Sequence, residues 1–225
     1  METDVAHRVA AVRRGGRPTR EEAARRDIRL LEVATQLFME HGYEGASMDA
    51  VAEAAGVGKP TLYHRYKDKR ELFQAVLTAR INEWLLPLAQ VAEAQQSGAH
   101  SGDLAEALDG LSRAMLRQAL KPGAAALHRV IAAQKARFPE LAQYAYQQGW
   151  LRAVDAVAHI LRVYKHREGL LIPDEMLAAE LFLNLIIGPS SRAALYGVEL
   201  GADGLEQRRA AAVELFLRGI GASRS

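Results

Sequence analysis

Cysteine is absent from the 225 residues, which excludes disulfide staples, thiolate metal sites and thiol redox switching. Long apolar runs are missing too. The longest, Met176 to Ile187, is interrupted by Glu180 and Asn184 and falls short of the roughly 20 residues that a membrane span needs. The opening Met1-Glu2-Thr3-Asp4 is polar and no apolar stretch comes after it, which argues against a secretory leader. Neither a glycine-rich phosphate loop nor a nucleophile turn occurs, so catalysis is unsupported. Among the seven histidines, His159 and His166 share a helical face. They stand about 10 Å apart along it, too far to hold one ion. No metal, cofactor or membrane partner is expected, and a cytoplasmic protein is the simplest reading.

Net charge is also slight, at +2, but it is unevenly spread. Residues 5 to 20 carry Arg8, Arg13, Arg14, Arg17 and Arg20 without an acid. Residues 59 to 70 carry Lys59, Arg65, Lys67, Lys69 and Arg70 against Asp68 alone. From residue 81 onward fifteen basic side chains face fifteen acidic ones. Positive charge is thus gathered near the N-terminus, where a polyanion would use it. Two solvated charge runs would give the same count.

What is present in abundance is helical patterning. Residues 1–18 lack apolar periodicity and read as a flexible basic arm whose Arg17 is placed to add a minor-groove or phosphate contact. Thr19 and Glu22 have the spacing of a capping box, and Ile28, Leu31, Ala34 and Phe38 recur at helical intervals up to a stop at Gly42. Ser47 is a natural N-cap for a second helix with Met48, Val51, Ala52 and Ala55 inward, ended by Gly56. After Val57 a third, short helix opens at Gly58 with Pro60 in its first turn, where a missing N–H loses nothing. A break this tight makes the two helices cross, as in a helix-turn-helix. Leu62 points inward, leaving Lys59, Thr61, Tyr63, His64 and Lys67 at the surface.

The segment Gly56-Val57-Gly58-Lys59-Pro60-Thr61-Leu62-Tyr63-His64-Arg65-Tyr66-Lys67-Asp68-Lys69-Arg70-Glu71-Leu72, with Phe38-Met39-Glu40-His41-Gly42-Tyr43 before it, closely resembles the tetracycline-repressor (TetR/AcrR) family. The resemblance covers about residues 20 to 77, roughly a quarter of the chain. It implies a three-helix DNA-binding domain at 19–67, and a larger helical ligand-binding and dimerisation domain at 68–225. It further implies a homodimeric repressor that leaves a palindromic double-stranded operator when a small-molecule effector binds. Carried over by position, Thr61 and Tyr63 would face the major groove, and Tyr63, His64 and Lys69 would reach phosphates. Ser47, Pro60, Arg65 and Lys67 complete the expected DNA face. Lys59 is the leading candidate for a base edge, since a Lys at this end of a recognition helix can reach guanine O6 and N7. Two positions depart from the family pattern: Gly58 replaces a usual Ser, and Arg65 a usual aromatic or His.

The rest of the chain adds six more helices, about nine in an all-α fold. Asp68 and Glu71 start a long fourth helix with a stripe from Leu72 to Leu88, a lever between the reading head and the later helices. Asp103 with Glu106 opens a fifth, Ala124 to Arg137 forms a sixth, and Pro139 starts a seventh that runs to about Gly169. Trp84, Met115, His128, Phe138, Tyr146 and Trp150 on helices four to seven have the composition of a ligand pocket for a sizeable hydrophobic or aromatic molecule. The same side chains would serve equally as core. The eighth helix, Asp174 to Tyr196, should kink or break at Gly188-Pro189. Asp203 with Glu206 should open the ninth. Leu177, Leu181 and Leu185 on one, and Val213, Phe216, Leu217 and Ile220 on the other, suit a four-helix dimer interface. An activator of the same fold, or a helical carrier without specific DNA binding, is the alternative.

Overall fold

Helix starts are set by the polar side chains placed before them. The Ser47 hydroxyl accepts from the amide of Ala50, Asp68 from that of Glu71, Asp103 from that of Glu106 and Asp174 from that of Leu177. Each satisfies one donor that the first helical turn leaves open. Glu71 in turn accepts from the amide of Lys67, so the turn between the third and fourth helices is tied from both sides.

The structure, a computed structural model, describes residues 20–96, 102–121, 123–198 and 200–221. The basic arm with Arg17, and the Thr19 cap, lie outside them. Among the described residues there are α1 (Arg20–Gly45), α2 (Met48–Ala55), α3 (Lys59–Arg65), α4 (Lys69–Gln96), α5 (Leu104–Ala119), α6 (Ala124–Gln134), α7 (Pro139–Ala145), a π-helical turn (Tyr146–Leu151), α8 (Arg152–Glu168), α9 (Glu175–Leu195) and α10 (Ala202–Gly219), and no strand. Because α7, the π turn and α8 run on without a break in helical backbone, these make nine rods. The fold is all-α, as the patterning predicts.

Glycine stops act where expected. Gly42 interrupts α1 with φ 69°, and Gly56 ends α2 at φ 66°, ψ 34°. There the amide of Gly56 donates to Glu53 O and that of Val57 to Ala52 O, the paired bonds of a Schellman stop.

Two apolar cores share α4. Its first half, Leu72, Phe73, Val76 and Leu77, packs with Phe38, Tyr43, Val51 and Leu62 of α1–α3, and with Leu127, Val130 and Leu141 of α6 and α7. Its second half, Leu85 and Leu88, packs with α5, α8, α9 and α10 around Leu108, Val157, Tyr164, Phe182 and Val213. At 28 residues α4 is about 42 Å long. With the α7–α8 rod, which places Leu141 in the first core and Val157 in the second, it connects the two cores mechanically.

Several expectations need correction. The α9 helix continues through Pro189, and α4 through the buried Pro87, with no break at either. The hydrogen bond lost at Pro189 does not end the helix. Helix α6 stops at Gln134, short of Arg137. The seventh helix is widened by the π turn. Helix α10 has Gly201 at its N-cap with no side-chain bond, so Asp203 and Glu206 form no capping box. Glu206 instead grips Arg209, whose side chain is buried: Nε and Nη2 donate to the two Glu206 oxygens at 2.8 and 2.7 Å, and Nη1 to Asp109 Oδ1 at 2.9 Å and Ser112 Oγ at 2.7 Å. That network ties α10 to α5.

Candidate nucleic-acid interface and effector cavity

Helix α3 is the exposed edge of the first core. Leu62 is fully buried against it, and Lys59, Pro60, Thr61, Tyr63, His64, Arg65 and Lys67 are all exposed. Gly58, lacking a side chain, gives α3 no side-chain cap; its carbonyl accepts from the amides of Thr61 and Leu62. Ser47, spent on Ala50, caps α2 beside it.

The cations of this face are not equally available. Lys59 Nζ pairs with Asp49 Oδ2 at 2.7 Å, and that bond raises the lysine pKa. Arg65 bonds Asp27 Oδ1 at 2.7 Å and the Tyr66 hydroxyl at 3.3 Å. Lys69 Nζ donates to the carbonyls of Ala46 at 3.0 Å and Glu44 at 3.3 Å and lies 4.7 Å from the centre of the Tyr43 ring. Lys69 thus braces the α1–α2 turn, and at most one of its three N–H bonds remains for the phosphate it is expected to reach. Tyr63, His64, Thr61 and Lys67 carry the unencumbered surface.

A cavity of about 600 Å³ lies where the two cores meet. Its wall takes Met39 from α1, Leu77, Arg80, Ile81, Glu83 and Trp84 from α4, and Gln118 and Ala119 from α5. Lys121, Gly123, Leu127, His128 and Ile131 come from the α5–α6 turn and α6. Ala142 and Ala145 of α7, Tyr146, Gly149 and Trp150 of the π turn, and Asn184, Ile187, Gly188 and Ser191 of α9 also line it. The size suits a drug-sized ligand. Of the six side chains expected here, Trp84, His128, Tyr146 and Trp150 line it. Met115 does not: it is fully buried in the second core. Phe138 does not either; its ring packs 5.2 Å from Tyr43, which in turn meets Phe73. His128 keeps an exposed edge, and desolvation of its ring against the cavity wall lowers its pKa below the ordinary value.

Sequence reading missed the polar wall of this cavity. Arg80 Nη1 meets Glu83 Oε2 at 2.7 Å, Lys121 Nζ meets Glu83 Oε1 at 2.5 Å, and the Lys121 bond leads in lowering the Glu83 pKa. The readable signal was Arg80 itself, a charge set among Leu77, Ile81 and Trp84.

The face expected to pair two subunits divides. Leu177, Leu181 and Leu185 are exposed along α9, as is Leu215 on α10. Val213, Phe216, Leu217 and Ile220 are buried within the chain, with the Phe216 ring 5.1 Å from Phe182, and so are withdrawn as interface residues. The stripe on α10 turns inward because α9 supplies its cover.

A sequence model described as bacterial regulatory proteins of the tetR family matches residues 30–76, and one described as the AefR-like transcriptional repressor C-terminal domain matches residues 106–221. The chain belongs to the TetR family. It is a DNA-binding transcription regulator and not an enzyme. A crystal structure from Mesorhizobium loti MAFF303099, described as of the TetR family, superimposes with a TM-score of 0.77 at 25% identity, covering 90% of this chain and 98% of that one. The flavonoid-responsive regulator FrrA gives 0.67 at 30% identity, covering 87% and 97%. The transcriptional activator FasR of Mycolicibacterium smegmatis is 43% identical over 70 residues, 31% of either chain. The repressor ComR of Escherichia coli K12 is 43% identical over 54 residues, 24% of this chain and 26% of ComR. The chain matches about a third or less of these two relatives. Among the described residues no helix is long and apolar enough to cross a membrane.

Proposed function

We propose that this TetR-family protein is a homodimeric, effector-released repressor, with its reading unit at 19–67 and its sensing and pairing unit at 68–225. The observation that carries the reading is the position of the cavity. Met39 of α1 and Leu77 of α4 belong to the helices that hold α3, yet they also form the cavity wall. An occupant there touches the back of the reading unit directly.

Two ion pairs join the same elements: Arg70 Nη1 to Glu140 Oε1 at 3.1 Å, and Arg137 to Glu44. They link α7 and the α6–α7 turn to α4 and α1 without fixing the spacing between α4 and α6. An occupant that prefers one spacing of α4 and α6 then favours one separation of two paired heads, and only that difference in affinity shifts DNA occupancy. Two-fold pairing calls for a palindromic operator with half-sites spaced by whole helical turns, and a regulator of chromosomal DNA works in the cytoplasm. Repression is favoured over activation because the repressor-type match spans residues 106–221, whereas FasR aligns over only 70 residues. FrrA, similar over nearly the whole chain and flavonoid-responsive, supports a ligand-controlled reading.

The test is binding to the DNA upstream of the protein's own gene, measured by fluorescence anisotropy across a salt series. Affinity should fall steeply with salt and drop at least tenfold in a Lys59→Ala, Tyr63→Ala double variant. Equal, weak binding of wild type and variant to every duplex would end the proposal.

A further inference from the structure

The effector cavity is lined mostly by apolar groups, with neutral polar side chains from Gln118, Tyr146, Asn184 and Ser191, and its charge is gathered on one wall, where Arg80 and Lys121 share the single carboxylate of Glu83. Two cations against one anion leave that wall with one net positive charge. His128, the other basic residue of the wall, has its pKa lowered by desolvation against the cavity, which works against its adding charge. The guanidinium of Arg80 is only half used. Its Nη1 serves Glu83, while its Nε is shielded from solvent and has no acceptor. A shielded N–H on a permanent cation with no acceptor carries an unmet hydrogen bond, and a turn of the Arg80 side chain toward the cavity it lines would bring that N–H to a ligand oxygen. Arginine presents Nε and its neighbouring Nη2 as a planar fork matched to a carboxylate.

We propose that the cavity is built for an apolar carboxylate, whose oxygens accept from Arg80 Nε while its hydrocarbon or aromatic body lies against Trp84, Tyr146 and Trp150. Lys121 then balances Glu83, so Arg80 can turn its charge to the ligand without leaving that carboxylate alone. A cationic ligand would face the same net positive wall unpaired, and a neutral one would leave that charge unanswered. This inference rests on reading the cavity as the effector site.

Two matched pairs of probes test it: decanoate with decan-1-ol, kept below micelle-forming concentrations, and 2-naphthoate with 2-naphthamide. Binding is read by calorimetry and, for the first pair, by the emission of Trp84 and Trp150, the chain's two tryptophans and both in the cavity wall. In at least one pair the acid should bind tenfold or more tightly than its neutral partner. Arg80→Gln should erase that preference while leaving the neutral compound within twofold of wild type, which also shows that the variant folds. Arg80→Lys, which keeps charge but loses the fork, should restore only part of it. Equal binding of acid and neutral partner, a preference that survives Arg80→Gln, or no binding by either pair would overturn the inference. Operator release is measured in the same titrations. If a neutral probe binds and releases DNA as well as the acid does, the sensing reading stands and the carboxylate inference falls. If the acid binds through Arg80 and the operator stays occupied, the reverse holds.

Discussion

Met39 of α1 lies so close to Gly123, at the start of α6, that a Cβ on residue 123 would overlap its thioether. Gly123 also sits at φ 91°, where L side chains are strained. The reading unit and the sensing helices therefore touch through a side chain on one side and bare backbone on the other. Gly123→Ala should lower stability by roughly 1–2 kcal/mol from the backbone alone. Met39 also lines the cavity, so if its thioether swings aside into that space the variant should weaken effector binding several-fold as well. Thermal melting and ligand titration measure the two effects separately; a stability loss with unchanged ligand affinity would show that Met39 relaxes elsewhere.

Lys59, the cation expected to reach a base edge, is paired with Asp49 in the free protein. Asp49→Asn should free it and remove a negative charge from the DNA face. Operator affinity at low salt should rise about three- to tenfold, with a steeper salt slope if Lys59 takes up a phosphate. Lys59→Ala should instead relax preference at one position of each half-site, by roughly tenfold or more. Anisotropy titrations with single-base operator variants decide between phosphate and base.

The parts of the fold that sequence made legible are those set by neighbours in the chain. The caps at Ser47, Asp68 and Asp103 and the stop at Gly56 depend on residues within four positions, and all lie where spacing put them. The reading face was legible as surface, but the partners of Lys59, Arg65 and Lys69 were not, since Asp49, Asp27 and the Ala46 carbonyl are set by how three helices cross. An apolar stripe likewise states that a face needs cover without saying which element covers it. For Phe216 the cover was Phe182 in the same chain. The π turn escaped because its pattern is ordinary helical periodicity with one residue extra, and the extra residue brings Tyr146, Gly149 and Trp150 to the cavity.

Pairing of two subunits can now be tested on residues that leave the chain's own core intact. Leu181 and Leu185 are exposed on α9, so Leu181→Glu with Leu185→Glu should fold normally and halve the mass in sedimentation. Phe216→Glu should behave differently. A carboxylate in place of a ring buried against Phe182 should cost on the order of 4 kcal/mol or more and lose the cooperative melt. A Leu181, Leu185 double variant that keeps the wild-type mass would place the interface elsewhere.

Acid sensitivity should trace in part to Glu206. The bonds from Arg209, and then from Arg113, hold its pKa at about 2 against an ordinary 4.5. A carboxyl depressed in this way favours the folded state above its unfolded pKa, and the contribution fades as pH falls through 4.5 toward 2. Half of the Glu206 side chain is exposed, so solvent screens the effect. Glu206→Gln should therefore melt only roughly 2–4 °C below wild type at pH 7. The gap should close on acidification, because the wild-type carboxylate is then protonated and the two side chains become equivalent acceptors. Glu83 and Glu175 are also held low, by Lys121 and Lys165, so both proteins lose stability in acid and only the difference between them reports on Glu206. Melting curves that stay parallel from pH 7 to about pH 2.5 would mean that the grip of Glu206 on Arg209 is neutral to folding and that Asp109 and Ser112 alone hold the buried guanidinium.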